Sequence, residues 1–317
     1  MRHVGVPVDG VLLLDKPVGI TSNAALQRAK RAAGAARAGH IGTLDPLASG
    51  LLPICFGEAT KFSQGLTDAD KTYRAVIRLG QCTTTADAEG EVIAEAPVTA
   101  DEATVRAVVA SLEGRMEQMP PMHSAVKHQG KPLYAYARAG TTVPRAPRPI
   151  TIHEIALEAC ALPLATVRVR CSKGTYIRTL AETLGERLGC GAHLAGLRRL
   201  AVGGLALDGA LTLAEWEALA PPARVGQLLA PDRLVASLPR IALDAPLTAR
   251  FRQGQTVPAG AVLAEGVSSR VYAALDGTFL GLGVQVPDGY LKPQRLVATA
   301  PEPVPPDFAA AQNGETA

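Results

Sequence analysis

An aspartate in a glycine-rich loop is the residue whose setting best suits chemistry. Asp45 lies between Leu44 and Pro46 in the stretch GHIGTLDPLASG. A residue before proline is kept out of the helical region, so the chain itself can hold this carboxylate at the fixed angle that a catalytic group requires. An Asp-Pro pair also begins many ordinary turns, and the loop composition alone leaves both alternatives open.

Three other side chains could work with such a carboxylate. His40, slightly earlier in the same stretch, could be a catalytic or base-stacking histidine, or a hydrogen-bonded loop histidine. Tyr73 opens the more apolar face of a predicted strand, where it could bind a ligand or simply border the core. Arg178 falls in the first turn of a predicted helix, where its charge opposes the helix dipole. An anion such as Asp45 would compensate that charge, although an ordinary surface arginine is the alternative.

The sequence lacks the motifs of several common catalytic and cofactor sites. It has no G-x-S-x-G elbow of a serine hydrolase and no H-E-x-x-H or other histidine spacing suited to a metal. The GLG and SKGT segments lack the rest of a phosphate-binding loop, so no nucleotide cofactor is implied. The 5 cysteines are scattered and contain no C-x-x-C pair, which indicates neither a disulfide framework nor a zinc site.

The composition describes a globular protein and says little about its partner. A chain of 317 residues can form one large catalytic domain and a small accessory domain. Hydrophobic residues make up 47% of the chain and charged residues 19%, which gives enough apolar surface for a core. The net charge of +3 is compatible with a polyanionic partner but decides nothing alone. The N-terminal apolar run is too short for a signal peptide or membrane span, so we expect a cytoplasmic protein.

Hydrophobic periodicity predicts the strands that position these residues. A strand at 10–17 precedes a basic helix that is capped by the Thr-Ser-Asn triplet at 21–23 and ends near Gly34. Further strands are predicted at 71–79 and 164–172, because apolar and polar residues alternate there.

Two later helices also follow from the pattern. A capping box formed by Thr99 and Glu102 predicts a helix that is ended by Gly114. After the third strand, a turn leads into a helix whose core stripe leaves Tyr176 and Arg178 free to point into a cleft. That stripe consists of Ile177, Leu180, Ala181, Leu184 and Leu188.

Changes in composition divide the chain into domains. Residues 118–149 are Pro-rich and basic without a long apolar period, which predicts an exposed, nucleic-acid-facing insertion in a catalytic domain at 1–237. Short strands in 238–300, two of them flanking a two-residue hairpin turn, predict a small β-barrel-like module. The Pro-rich and then polar segment 301–317 predicts a disordered tail.

Five segments, in order along the chain, resemble the bacterial tRNA pseudouridine-55 synthase family of the TruB type. They are LLLDKPVGITSN, RAGHIGTLDPLASGLLPICFGEATKF, DKTYRAVIRLGQCTTTADAEG, QMPPMHSAVKHQGKPLYAYARAG with VPRAPRPI, and CSKGTYIRTLAETLGERLGCGAHLAGLRRLAV. They cover most of residues 10–202. The resemblance implies an α+β pseudouridine synthase fold with a mixed, largely antiparallel central sheet flanked by helices and loops. It also implies a small C-terminal β-rich, PUA-like RNA-binding domain.

The same resemblance assigns roles to individual residues. Asp45 matches the family's catalytic aspartate, Tyr73 its active-site tyrosine that stacks on the target base, and Arg178 the partner of the aspartate. Five further positions match residues that line the family's pocket, lie near the extruded nucleotide or support the catalytic loop: Tyr176, Leu197, His40, Lys16 and Pro17.

The reaction implied by the resemblance isomerises uridine 55 in the T loop of tRNA. The base must be flipped out, detached from its ribose, rotated and rejoined through carbon 5, which requires no redox step, cofactor or metal. We expect the T arm of tRNA as partner, no membrane, no obligate protein partner and a monomer. Candidates for contacts to the RNA backbone are Arg28, Lys30, Lys61, Lys127, Lys131, Arg145, Arg148, Arg198 and Arg199.

Two other functions remain compatible with the sequence. A related synthase could act on other RNA, such as ribosomal RNA, or work with a guide RNA and protein partners. Alternatively, the protein could be a tRNA-folding RNA chaperone whose function is to bind the T arm.

Overall fold

The computed structural model describes residues 8–124, 126–260 and 263–298. The chain divides into two compact units, Met1–Leu234 and Val235–Ala317. The segment 301–317, for which a disordered tail is predicted, lies outside the described residues.

A large sheet forms the centre of the first unit. The strands of this unit are β1 (Gly10–Lys16), β2 (Ala38–His40), β3 (Ala48–Phe56), β4 (Lys71–Leu79), β5 (Gln81–Thr83), β6 (Val92–Glu95), β7 (Gly114–Gln118), β8 (Lys127–His128), β9 (Lys131–Pro132), β10 (Arg148–Ala161), β11 (Leu164–Cys171), β12 (Ala192–Val202), β13 (Leu205–Ala206) and β14 (Leu211–Thr212). The main path through the sheet is β14-β1-β3-β12-β4-β11-β10-β7, with β2 added to β3 and β13 to β12. β5 pairs with β6, and β8 with β9, as separate ribbons.

The direction of the strands makes this sheet mixed. β1 with β14 and β3 with β12 are parallel pairs, and the other pairs along the path are antiparallel. Together with the flanking helices, this confirms the predicted α+β class with a mixed, largely antiparallel central sheet.

Helices cover the sheet over two apolar cores. They are α1 (Ser22–Ala33), α2 (Gln64–Thr67), α3 (Glu102–Ala110), α4 (Leu133–Arg138), α5 (Ile177–Leu188), α6 (Leu213–Ala218) and α7 (Pro221–Gly226), with 3-10 turns at Gly57–Phe62 and Pro231–Val235. One core joins α3 and α5 to the strands β4, β10, β11 and β12. The other joins α1 and α6 to β1 and β3, with the buried Trp216 at its centre.

The ends of α1 agree with the sequence analysis. The Thr21 hydroxyl accepts a hydrogen bond from the amide of Ala24, so Thr21 is the N-cap. Gly34 ends the helix at φ 63°, in the left-handed region that glycine adopts without strain. Ser22 is therefore the first residue of the helix, directly after the cap.

The predicted capping box at the start of α3 is wrong. The N-cap is Asp101, whose carboxylate accepts from the amide of Thr104 at 2.8 Å. Asp is a better cap than Thr, and the side chain of Glu102 instead pairs with Arg106 one turn later at 2.6 Å. The helix ends at Ala110, well before the glycine at which its end was predicted.

The second unit is small and β-rich, as predicted. It consists of β15 (Arg240–Leu243), α8 (Ala245–Arg252), β16 (Val257–Pro258), β17 (Ser268–Ala273), β18 (Phe279–Val286) and β19 (Tyr290–Leu296). The strand order is β15-β17-β18-β19-β16. The predicted two-residue turn between β17 and β18 is wrong: the connection spans 274–278, because Asp276 folds it by accepting from the amide of Thr278.

A search of the described residues for membrane-spanning helices found none. Each helix there is too short or too polar to cross a bilayer.

Candidate active site

The loop that carries Asp45 is clamped on both sides of the aspartate. The buried Ser22 hydroxyl accepts from the amide of Leu44 at 2.8 Å and donates to the Leu44 carbonyl at 2.9 Å. On the other side, the amide of Gly19 donates to the Pro46 carbonyl at 2.8 Å. The side chain of Asp45 is nevertheless 47% exposed. The main chain is therefore fixed while the carboxylate stays open to a ligand.

Arg178, in the first turn of α5, brings two carboxylates together. Its Nη2 lies 3.2 Å from Asp45 Oδ2, and its Nη1 lies 3.6 Å from Asp87 Oδ2. Its side chain is only 8% exposed, so the charge is compensated by these anions more than by water. The structure thus brings together the predicted pair of Asp45 and Arg178.

Asp87 is a site residue that the sequence analysis missed. It lies between β5 and β6, and its side chain is 4% exposed. Its Oδ1 accepts from the Thr85 hydroxyl at 2.5 Å and from the amide of Glu89 at 3.1 Å. The only signal in the sequence was an acidic residue within a segment that resembles the family. These bonds fix the second carboxylate that faces Arg178.

A row of four residues crosses the sheet next to this loop. Lys16 of β1 is paired with Gly50 of β3, Gly50 with Arg199 of β12, and Arg199 with Tyr73 of β4. Cross-strand partners lie on the same face of a sheet, so these positions are close neighbours. Gly50 carries no side chain between the two cations: a Cβ there would come within 2.3 Å of the Arg199 carbonyl oxygen.

Arg199 does not lie on the surface, in contrast to its predicted contact with the RNA backbone. It is 1% exposed, and its Nε donates to the Leu51 carbonyl at 2.7 Å. Its Nη2 donates to the carbonyls of Gly42 at 2.9 Å and Ile41 at 3.3 Å. Its cross-strand partner on β4 is Tyr73, close enough for the guanidinium charge to act on the phenol. The main chain on both sides of the Asp45 loop therefore covers Arg199 and keeps it away from phosphates.

Lys16 is a second buried cation in the row, at 0% exposed. Its Nζ donates to the carbonyls of Pro17 at 2.8 Å and Ile20 at 2.7 Å, which closes the turn before α1. Burial lowers the pKa of Lys16 to about 8, and the charge of Arg199 acts in the same direction, whereas Asp45 raises it. Lys16 and Pro17 thus shape the turn that touches the Asp45 loop.

Tyr73 and His40 are both partly buried near Arg199. Burial raises the pKa of Tyr73, and the charge of Arg199 opposes that rise. Burial lowers the pKa of His40, and Arg199 lowers it further, so the ring favours its neutral form. The buried Nδ1 of His40 finds no hydrogen-bond partner among the described residues.

Tyr176 and Leu197 lie on the elements that flank Asp45. Tyr176 is the residue before α5, and the side chain of the buried Gln118 binds its main chain through two hydrogen bonds. The Tyr176 amide donates to Gln118 Oε1 at 2.7 Å, and the Tyr176 carbonyl accepts from Gln118 Nε2 at 2.9 Å. Leu197 of β12 is paired with Ala48 at the start of β3 and with Ala75 of β4. Gln118 is a second positioning residue that the sequence analysis missed.

The predicted insertion at 118–149 contacts Arg178. It contains the ribbon of β8 and β9 and the short helix α4. The carbonyl of His123 accepts from Arg178 Nη2 at 2.7 Å. Beside Tyr176, a groove of about 830 Å³ continues from this region, with Arg115, Arg148 and Lys173 in its lining.

The remaining basic candidates are spread over several elements. Arg28 and Lys30 lie on α1, and Arg28 pairs with Glu217 at 2.6 Å. Arg198 pairs with Asp15 at 2.6 Å. The candidates on the 3-10 turn and on the insertion are Lys61, Lys127, Lys131, Arg145 and Arg148. The structure does not gather these residues into one cluster around Asp45.

The described part of the chain holds no group of three or more His, Cys, Asp or Glu side chains arranged to bind a metal ion.

Comparison with known proteins gives family matches over nearly the whole described chain. Residues 30–177 match the family model described as TruB family pseudouridylate synthase (N terminal domain). Residues 178–230 match the tRNA pseudouridylate synthase B C-terminal domain, and residues 239–297 match Pseudouridine synthase II TruB, C-terminal.

Relatives named tRNA pseudouridine synthase B match almost end to end. The protein from Cupriavidus pinatubonensis is 57% identical over 298 residues, covering 92% of this chain and 94% of the relative. The protein from Burkholderia mallei (strain NCTC 10247) is 56% identical over 297 residues, covering 92% of this chain and 98% of the relative.

Solved structures share the fold. A chain of a Cbf5-Nop10-Gar1 complex is 27% identical with a TM-score of 0.67, covering 87% of this chain and 78% of that chain. A chain of the archaeal box H/ACA sRNP Nop10-Cbf5 complex is 24% identical with a TM-score of 0.69, covering 92% and 86% respectively.

Proposed function

Because the chain belongs to the TruB family of pseudouridylate synthases, we propose that it isomerises uridine 55 in the T loop of tRNA to pseudouridine. The protein is accordingly an isomerase. Its relatives at 56% and 57% identity, named for tRNA, support the choice of substrate. The observation that carries the mechanism is a half-exposed Asp45 carboxylate on a clamped loop, paired with the buried Arg178.

Asp45 acts as the nucleophile or anionic catalyst of the isomerisation. Its Oδ2 pairs with Arg178, so we assign Oδ1 to the substrate. The carboxylate could attack carbon 1′ of the ribose, add to the pyrimidine ring, or promote loss of the 2′ proton through a glycal. Each route needs one carboxylate oxygen held beside the nucleotide, and each ends when carbon 5 of the rotated base replaces nitrogen 1 on the ribose.

The neighbouring side chains bind the flipped base. Tyr73 stacks on the uracil, and its hydroxyl is placed to assist removal of the proton from carbon 5. His40 lies near the extruded nucleotide, and Tyr176 and Leu197 line the pocket. These contacts must offset the unstacking of the base from the T loop, which costs about a few kcal/mol.

The RNA backbone is held by cations outside this pocket. We assign this role to the insertion at 118–149 and to exposed candidates such as Lys127, Lys131 and Arg148. The catalytic domain spans 1–237, and the module at 238–300 adds a PUA-like RNA-binding surface. The protein works in the cytoplasm as a monomer, without an obligate protein partner.

The competing functions make different use of the same site. An RNA chaperone needs a grip on the T arm but no catalytic carboxylate. The pairing of Asp45 with an arginine that is itself held by buried Asp87 therefore favours catalysis. The high identity to relatives named for tRNA favours tRNA over a guide-dependent substrate.

The test combines a defined transcript with RNA from cells. The purified protein should release tritium from a tRNA transcript labelled at carbon 5 of uridine, and a transcript with cytidine at position 55 should release none. In cells that lack the gene, pseudouridine should disappear from the T-loop site. Normal modification of that site in such cells would contradict the proposal and favour the RNA-folding function.

A further inference from the structure

Arg199 connects parts of the site that are distant in sequence. Its guanidinium donates to the carbonyls of Ile41 and Gly42, before Asp45, and of Leu51, after it. Its cross-strand partner on β4 is Tyr73, whose phenol lies within reach of the guanidinium charge. One side chain therefore contacts both ends of the catalytic loop and neighbours Tyr73.

The chemistry of guanidinium determines how the Tyr73 hydroxyl can point. A guanidinium has only donors, so Arg199 can pair with the phenol oxygen only by donating to it, and the phenol's own proton then points elsewhere. The charge of Arg199 also lowers the pKa of Tyr73, against the effect of burial.

Close packing allows little freedom in this arrangement. Arg199 Nη1 lies 2.9 Å from the position that a Cβ on Gly42 would occupy, and the Arg199 main chain abuts Gly50. Gly42 has φ 69° and Gly50 has φ 99°, conformations that suit glycine. The two glycines that bracket Asp45 thus fit around Arg199.

We propose that Arg199 is a positioning residue for the isomerisation, which holds the Tyr73 hydroxyl and both ends of the Asp45 loop as one rigid unit. The inference rests on the proposed function and deepens it, because it says what keeps tyrosine and aspartate at a fixed separation. Lysine cannot replace this role, since an ammonium lacks the planar fork that reaches several acceptors at once.

A double-mutant cycle with Tyr73 tests the proposal. Arg199→Met should lower the single-turnover rate of pseudouridine formation about 100-fold, the loss typical of a misplaced catalytic group. In the Tyr73→Phe background the same substitution should cost much less, because the hydroxyl that Arg199 orients is already absent. Equal losses in both backgrounds would overturn the proposal.

A magnetic-resonance measurement reports on the contact between Arg199 and Tyr73 without requiring turnover. In protein labelled at the tyrosine Cζ carbon, Tyr73→Phe identifies the Tyr73 resonance. Arg199→Met should move that resonance and leave the other tyrosines unchanged; an unmoved resonance overturns the proposal even if Tyr73→Phe proves inactive. Should Arg199→Met fail to fold, Arg199→Lys goes through the same cycle, with the same expected pattern of losses, because an ammonium cannot reach the several acceptors at once.

RNA binding separates this role from a phosphate contact. Arg74→Met serves as the matched control, because Arg74 is the exposed neighbour of Tyr73 on β4 and pairs with Glu158. Both methionine variants should bind the transcript equally well. A loss of affinity and of salt dependence that is confined to Arg199→Met would make Arg199 a phosphate contact and overturn the proposal. If the wild-type protein is inactive, the proposed function is refuted, whereas the shift of the Tyr73 resonance still tests the contact between Arg199 and Tyr73.

Discussion

Two buried arginines hold the surroundings of Asp45 in different ways. Arg178, on a helix, lies between the carboxylates of Asp45 and Asp87. Arg199, on a strand, contacts main-chain carbonyls and has a tyrosine as its cross-strand partner. Both are shielded from water, at 7% and 1% exposed. Arg178 therefore compensates negative charge, and Arg199 determines the conformation of the loop that carries Asp45.

The difference predicts unequal consequences of removing each cation. Without Arg178, the buried carboxylate of Asp87 would be left uncompensated, and a buried charge without a partner is costly. Without Arg199, the groups left behind are neutral acceptors, which cost less to leave unpaired. Substitutions in the two regions should therefore be separable by stability as well as by rate.

Arg178→Met should have the largest effect on both the reaction rate and the stability of the fold. We expect the rate of isomerisation to fall roughly 10²–10³-fold, the loss seen when a charge-stabilising donor is removed. Urea denaturation should show a loss of about 3–5 kcal/mol, because the buried Asp87 carboxylate loses the cation that compensates it. Adding Asp87→Asn to this variant should recover much of the stability but not the rate. A double variant no more stable than Arg178→Met would contradict the role of charge here.

Gly50→Ala should disturb the region of Arg199 without changing any charge. A Cβ at this position would lie 2.3 Å from the Arg199 carbonyl oxygen and 2.7 Å from its amide nitrogen. We expect a loss of about 1–3 kcal/mol from overpacking and a lower rate at unchanged RNA affinity. Gly114→Ala is the matched control, because Gly114 also has a positive φ, of 115°, and nothing lies within 4 Å of a Cβ there. Equal behaviour of the two variants would refute the tight packing around Arg199.

Ser22→Ala should have a smaller effect, confined to the loop. The substitution removes both hydrogen bonds that hold Leu44 and leaves its amide and carbonyl unpaired, at a cost of about 1–3 kcal/mol. The chemical step should slow while transcript binding stays the same. A change in affinity with an unchanged rate would show that the clamp acts on RNA binding instead.

The smallest expected effect is the pH dependence of the stability that Lys16 contributes. Burial lowers its pKa in the folded state to about 8 from 10.5, so the unfolded chain binds this proton more tightly. The stability contribution of Lys16 should therefore rise with pH between about 8 and 10.5 and stay level below that window. The urea midpoints of wild type and Lys16→Met, compared across this range, measure it. A constant difference between the two proteins would contradict the lowered pKa.

Local patterns were sufficient to predict many of the elements. The alternation of apolar and polar residues predicted the bounds of β4. The apolar stripe of α5 predicted that Arg178 lies off the core stripe, and there it pairs with Asp45. The dipole argument worked because it concerns one helix turn and one charge. The cap of α3 was misplaced, because Thr99 and Asp101 are both acceptable caps by sequence and only the fold decides between them.

The residues that the sequence did not reveal depend on contacts across the sheet. Arg198 and Arg199 are adjacent and chemically identical, and alternation says only that they face opposite sides of a strand. One pairs with Asp15 and keeps a side chain 39% exposed, whereas the other is buried under the loop. That outcome requires the register of β12 against β3 and β4, which no local pattern contains. The same holds for Asp87, whose partner lies on α5.

The central claim is that the Asp45 carboxylate carries the reaction, and Asp45→Asn tests it most directly. Asparagine keeps the size and the proline-restricted loop but removes the negative charge. Single-turnover formation of pseudouridine in a tRNA transcript should fall by roughly 10⁴-fold or more, with transcript binding close to that of the exposed control Asp208→Asn. A rate within about tenfold of the control would contradict the account.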